Sequence, residues 1–575
     1  MTRQSKVLSL MVLFLLVAVA LLGLAGHFYR QWNPEPPRRQ AFVNGRILTM
    51  DANNRIVEAV LIERDRIASV GSTAEVLEAA GKDAVVTDLQ GRTMLPGFIE
   101  AHGHFPGSGL SAVAADLNSP PIGDVESVAG ALERVRDLAS RTPEGEWVLA
   151  YGFDDTMIAE RRFVTRDELD RISTKHPVYV LHISGHMGVA NGLALEQAGI
   201  NEESLDPEGG EIVRDESGRL TGLLKETAHE PLLAKALALP LRKRLAVLRA
   251  GVRDYLSKGV TTAQNGLTSA PQASALMWAS RIGLVPLRLV IWPEVPLARA
   301  IGEGQVRIAQ TDRFTVGAAK IISDGSIQGY TGFLTKPYAV IPKGYPPDYR
   351  GYPTLSAEEL AAVVKELHAR GWQIAVHANG DAAIDAVIDA FDQAQRESPR
   401  DDPRHIVVHA QMTRNDQLRR YRTLGLTPSF FPAHVYYWGD RHRDVFLGPE
   451  RAERISPLKT AEIEGVRYTI HLDTPVVPMD PLLLVWTAVM RLTSSGQVLG
   501  AGERIGVMQA LRAVTIDAAW QIFQEDNRGS IEPGKFADLV VLSADPVACP
   551  EALRDIVVEK TLVGGVLCFD RDKRV

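Results

Sequence analysis

Eight short apolar runs recur between stretches of helix-patterned sequence, and this alternation constrains the fold more than any other feature. They are 97–102 (GFIEAH), 259–263 (GVTTA), 287–292 (LRLVIW), 314–322 (FTVGAAKII), 373–377 (QIAVH), 405–409 (HIVVH), 427–431 (TPSFF) and 468–472 (YTIHL). Helical patterns lie between them, such as 356–371 (SAEELAAVVKELHARG), where Ser356 and Glu359 have capping-box spacing. Strand-then-helix alternation calls for a parallel sheet with crossover helices, and eight such strands close a (β/α)8 TIM barrel. The expected fold class is therefore α/β, with this barrel in residues 94–525. The segment at about 105–257 is too long for one crossover and reads as a large insertion, a lobe, after the first barrel strand.

Both chain ends have a different character. Short β-like runs fill 40–88 and return at 536–542 (FADLVVL) and 556–569 (IVVEKTLVGGVLCF). Residues 40–93 and 526–575 are thus expected to build one flanking β-sandwich. Ahead of them, 33–39 (NPEPPRR) is a Pro-rich linker. Residues 7–26 carry no charge and follow Arg3 and Lys6. Twenty helical residues span about 30 Å, enough to cross a bilayer, and the basic flank favours an N-terminus inside. Phe28, Tyr29 and Trp32 suit the interface. Residues 1–39 are therefore expected to be an N-terminal transmembrane helix and linker, anchoring to the membrane a domain exported to the periplasmic or extracellular side. The alternative is a cleaved signal peptide and a secreted chain.

The 575 residues hold 63 Lys+Arg against 70 Asp+Glu, a net charge of −7, which argues against nucleic acid as the main partner. The two cysteines, Cys549 and Cys568, cannot build a cysteine zinc site. They form either one bridge or two unpaired thiols. Histidine is more informative. His102 and His104 stand two apart, so an extended backbone turns both to one side, roughly 6–7 Å apart along it. His377, His409 and Asp473 each sit at or just past the end of another run. In such a barrel functional residues come from the C-terminal strand ends, which meet at one mouth. Four imidazoles and a carboxylate suit Zn²⁺ or a similar divalent ion. Five ligands exceed what one open tetrahedral site needs, so either two ions bind or Asp473 serves as a base.

Six segments together resemble the metal-dependent amidohydrolase superfamily, in the branch that includes N-substituted formamide deformylases: 95–105 (LPGFIEAHGHF), 185–195 (GHMGVANGLAL), 320–326 (KIISDGS), 375–385 (AVHANGDAAID), 471–476 (HLDTPV) and 529–542 (GSIEPGKFADLVVL). The resemblance implies a barrel beside a β-sandwich. It assigns His102 and His104 to a first metal, His377 and His409 to a second, and Asp473 to the eighth strand end. It also implies Lys320 as a bridging ligand after carboxylation; otherwise Lys320 pairs with Asp324 or another acid. Glu100 departs from the Asp usual in this pattern and keeps the charge. The implied reaction is hydrolysis of a C–N bond in a small amide or formamide by water activated on one or two divalent ions. Asp473 would move the proton, and His434 or His186 would stabilise the oxyanion. Tyr436, Tyr437, Trp438 and Trp486 are candidate pocket walls. Such barrels often pair, so a homodimer is among the assemblies allowed.

Two motif matches carry no function. Residues 529–535 satisfy GxxxxGK, but Phe536 stands where a phosphate loop needs Ser or Thr, and a strand pattern follows. His229-Glu230 is followed by Pro231, and Leu233 holds the place of a second zinc-protease histidine. No Gly-x-Ser-x-Gly elbow occurs. The remaining alternatives are an esterase, lactonase or carbamate hydrolase on the same ions, or a non-catalytic binding barrel.

Overall fold

The computed structural model describes residues 35–573. At its centre lie eight strands: β1 (Phe98–Ile99), β2 (Val260–Thr268), β3 (Arg288–Pro293), β4 (Phe314–Val316, resuming as Ala319–Ile322), β5 (Ile374–Ala378), β6 (Ile406–His409), β7 (Thr427–Phe430) and β8 (Thr469–Ile470). Pairing is parallel throughout, in chain order. These strands are buried on both faces, as helix-covered parallel strands must be; every residue of β3, β5, β6 and β7 is buried. β4 changes partner midway, Phe314–Val316 pairing with β3 and Ala319–Ile322 with β5. Gly317 sits at the step, where a Cβ would come within 2.8 Å of Val290 Cγ1.

The ring closes between β8 and β1 beyond their short ladders. His104 N donates to Thr474 O (2.8 Å) and Asp473 N to His102 O (3.2 Å). The Glu100 carboxylate also accepts from Leu472 N (2.8 Å) and Asp473 N (3.3 Å). A buried acceptor thus replaces ladder bonds at the point where the strands must splay to present side chains.

Helices cover the ring. Ala357–Ala369 starts at the expected capping box, with Ser356 accepting from Glu359 N and Glu359 from Ser356 N. Asp381–Glu397 buries Ile384, Val387, Ile388, Phe391 and Ala394, one stripe at helical spacing.

Between β1 and β2 lies a six-stranded mixed sheet, in the order Gly210–Arg214, Leu220–Glu226, Met187–Ala190, Val178–His182, Val148–Phe153, Ala115–Asp116. Residues from both chain ends form a further sheet, in which Leu539–Leu542 pairs antiparallel with Thr93–Pro96. A second, four-stranded sheet packs on it through a core containing Phe42, Ile47, Val60, Met94, Leu539 and Leu562. A buried ion pair ties this unit to the barrel: Arg288 of β3 grips Asp538 with Nε (2.6 Å) and Nη2 (3.0 Å).

One expectation changes, and one open alternative is decided. Residues 7–26, read as a transmembrane helix, lie outside the described residues, and among the described residues no helix is long and apolar enough to cross a membrane. The longest described helices, Leu241–Ser257 and Asp381–Glu397, are amphipathic and carry charges along one face. The membrane-spanning helix, and the membrane-anchored placement built on it, are corrected on this ground. Cys549 is exposed and Cys568 half-buried, and both are free thiols, not a bridge.

Candidate metal centre

The parallel register carries the site. Ile322 stands beside His377, and Ala378 beside His409, so β4, β5 and β6 bring their ends to one level. Lys320 pairs with Ala375, two rows below His377, a depth of roughly 6–7 Å that a lysine side chain can span. Its Nζ ends 3.2 Å from His102 Nε2. Asp473 Oδ1 lies 3.3 Å from both His102 Nε2 and His104 Nε2. Its Oδ2 lies 3.9 Å from His409 Nε2, which in turn is 3.1 Å from His377 Nδ1. Six donors separated by hundreds of residues in sequence thus form one cluster.

These donors fit a divalent ion. Two ligands about 2.0–2.1 Å from a tetrahedral ion stand roughly 3.3–3.4 Å apart, and the separations of 3.1–3.3 Å here are close to that. Asp473 Oδ1 and His102 Nδ1 are buried with no hydrogen-bond partner. A histidine must be unprotonated to bind a metal. Burial, reinforced by neighbouring cations, pushes His102, His377 and His409 well below the ordinary histidine pKa. Burial also lowers Lys320 to about 7, with Asp473 opposing the shift. Burial would raise Asp473, but its close approach to His104 and the charges of His104, His471 and Lys320 hold it below the usual carboxylate range.

His409 (φ 67°) and Asp473 (φ 57°) both adopt left-handed backbone, which non-glycine residues avoid at element ends unless the surroundings impose it. Close packing imposes a further condition: a Cβ on Gly266 would stand 2.1 Å from His102 Cε1.

A cavity of about 330 Å³ opens on this cluster, lined among others by His186, His377, His409, His434, Trp438 and Asp473. His186 comes from the inserted lobe. Its ring is 4.8 Å from that of His377, and its Nδ1 is 2.8 Å from Glu226 Oε2. Burial lowers the His186 pKa, but Glu226, Asp324 and Asp473 outweigh it and raise the group. His434, which also lines the cavity, packs its ring 4.1 Å from that of Phe431. Of the four aromatic residues considered as walls, Trp438 lines this cavity, whereas Tyr436 packs on Trp486. Asp324, considered as a partner for Lys320, instead accepts from the backbone N–H groups of Phe333, Asn379 and Gly380 (2.9 Å each).

Sequence reasoning passed over His471. Its Nε2 lies 3.0 Å from His409 Nδ1 and its Nδ1 2.9 Å from Ser429 Oγ, orienting the His409 ring. The signal was present: His471 precedes Asp473 by two, the spacing of His102 and His104. A second group in the lobe, Asp154, Asp155 and His182, was also missed. There Ser184 N donates to His182 Nδ1 (3.2 Å), which leaves a proton on Nε2, 3.3 Å from Asp155. That geometry describes an acid–imidazole pair, not a ligand set.

The family model described as "Amidohydrolase family" matches residues 85–569. The chain belongs to the amidohydrolase family. It is 31% identical to the N-substituted formamide deformylase of Arthrobacter pascens, over 92% of this chain and 98% of that protein. It is 29% identical to the putative amidohydrolase YtcJ of Bacillus subtilis (strain 168), with the same coverage. An uncharacterized metal-dependent hydrolase from Pyrococcus furiosus superposes with TM-score 0.68 at 26% identity, covering 88% of this chain and all of that one. One from Pyrococcus horikoshii shares the fold, with TM-score 0.71 at 24% identity over 89% of this chain and 99% of that one. The protein is a metal-dependent hydrolase of carbon–nitrogen bonds in small molecules, and it binds a divalent metal.

Proposed function

We propose that the substrate is an N-substituted formamide or a similarly small amide, and that the metal is zinc, in one or two ions. The observation that carries the reading is Asp473 Oδ1, buried without a hydrogen bond and equidistant from His102 and His104. His102, His104 and Asp473 would hold one ion, and His377 and His409 a second. Lys320 would bridge them as a carbamate: burial favours its neutral amine, which adds carbon dioxide and loses a proton to become an anionic ligand. When bound, the ions polarise the scissile carbonyl and make water acidic enough to attack at neutral pH.

The chain's own groups do the rest. Asp473 accepts the proton of the attacking water and passes it to the leaving nitrogen. His186, held through Nδ1 by Glu226, presents Nε2 to the carbonyl oxygen as negative charge develops there. His434 faces the same cavity and is a second candidate for that contact. The site's imidazoles and Phe431 exclude bulk water.

The test is formate release by zinc-loaded enzyme from N-alkylformamides, set against matched formate esters and lactones. Faster turnover of the formamides supports the reading. Faster turnover of the esters, or no formate release with metal bound, overturns it.

A further inference from the structure

Four polar side chains continue from the His409 ring: His471, Ser429, Thr469 and Gln521. β7 and β8 pair Ser429 with Thr469, and His471 follows Thr469 by two, on the same face of an extended chain. Gln521 comes from the end of the helix Ile516–Gln521. Neighbours in the series lie within hydrogen-bond distance. His409 Nδ1 is 3.0 Å from His471 Nε2, and His471 Nδ1 is 2.9 Å from Ser429 Oγ. Ser429 Oγ is 2.8 Å from Thr469 Oγ1, which is 2.6 Å from Gln521 Oε1. All four residues are 0% exposed, so their protons must be placed among these partners alone.

The far end decides every proton. Gln521 Nε2 donates to Ala101 O (2.8 Å), a carbonyl that can only accept. Its Oε1 therefore faces Thr469 and takes the single proton of that hydroxyl. Ser429 must then donate to Thr469 Oγ1, since no other proton is left for that contact. Ser429 Oγ in turn accepts from His471 Nδ1. Burial favours the neutral imidazole, which carries one proton. His471 Nε2 is thus bare and accepts from His409 Nδ1. That leaves His409 with an unprotonated Nε2, the atom 3.1 Å from His377 Nδ1. His377 Nε2 lies 3.1 Å from Gly325 O, also an acceptor, which places its proton there and leaves Nδ1 bare. Two lone pairs face each other with no proton between them, an arrangement that a cation resolves. The opposite direction would put a proton on His409 Nε2 and let His409 donate to His377, closing the pair against metal.

We propose that Gln521 is a positioning residue for the metal centre, its amide setting the direction of a hydrogen-bond relay that keeps Nε2 of His409 bare for the ion. The inference rests on the reading of His377 and His409 as metal ligands. The same amide holds Ala101, the neighbour of His102, so one side chain serves both halves of the proposed ligand set.

The experiment reads zinc affinity by chelator competition, together with the ring tautomers of the metal-free chain labelled with ¹⁵N-histidine. Thr469→Val replaces the hydroxyl with a methyl group. Ser429 then has only His471 Nδ1 to donate to, and the relay reverses: the protons of His471 and His409 both move from Nδ1 to Nε2. Zinc binds about tenfold or more weaker. Gln521→Leu frees Thr469 to donate to Ser429 and gives the same reversal, so it carries the test if Thr469→Val does not fold. Adding Ser429→Ala to either variant removes the reversing hydroxyl and restores part of the affinity, whereas simple packing damage would accumulate. Unchanged tautomers and zinc affinity in the folded single variants overturn the relay and leave the metal site standing. A double variant that binds zinc no better than its parent also overturns the relay. A wild type that binds no zinc overturns the metal-ligand reading and the relay with it.

Discussion

Asp473→Asn separates the proton-transfer role from the structural one. Asparagine is nearly isosteric, and it tolerates the left-handed backbone that Asp473 adopts at φ 57°. The main-chain bonds from Asp473 N to His102 O and the Glu100 carboxylate do not involve the side chain and persist. What disappears is the negative charge between His102 and His104 and the group able to accept a proton. General acid–base catalysis contributes roughly 10²–10⁴ in rate, or about 3–5 kcal/mol of barrier. The loss falls on kcat, with KM changing little, because the proton moves only in the transition state. The assay is steady-state hydrolysis of an N-alkylformamide by wild type and variant matched for metal content. The acid limb that Asp473 gives the wild-type pH profile disappears in the variant. A fully metallated variant within tenfold of wild-type kcat would refute this role.

Three other outcomes follow from the geometry. Asp538→Ala strands the Arg288 guanidinium, whose side chain is 4% exposed, at a cost of about 3–5 kcal/mol; Tm falls, the double change Arg288→Leu with Asp538→Leu recovers much of it, and an unaltered Tm in the single variant contradicts the tie. Gly266→Ala drives a methyl into the His102 ring, 2.1 Å from Cε1; metal content drops while far-ultraviolet dichroism holds, and full metal content shows that the ring gives way freely. In the metal-free chain, burial holds Lys320 near 7 against 10.5. The unfolded state therefore binds more protons between those values, and folding stability gains up to about 1.4 kcal/mol per pH unit as pH rises across that window. Denaturant titrations should show Lys320→Met flattening this rise, and identical pH dependence in both proteins would contradict a neutral buried amine.

The strands were legible because a parallel strand covered on both faces leaves a continuous apolar run, as in LRLVIW and HIVVH. Their extents were less so. β1 and β8 each retain two ladder residues, because Glu100 and the segment around His104 take over the pairing where the chains splay. The break in β4 depends on Gly317 packing against Val290 and Trp292, which no periodicity reveals. Histidines ending apolar runs stood out, whereas His471 blended into its strand and acts through His409. The packing of the lobe on the barrel was invisible in the sequence. Asp154 and Trp438 meet across 284 residues. The charge-free stretch 7–26 lies outside the described residues. Local composition spoke for a membrane helix, and none of the described helices has that character.

The most direct test is the number of divalent ions per chain, measured by plasma mass spectrometry on protein expressed with supplemented zinc. One or two ions in the wild type, falling after His102→Ala and after His377→Ala, is the predicted result. Fewer than one ion per wild-type chain, or the same content in both variants, would contradict the claim that these distant side chains converge to bind metal.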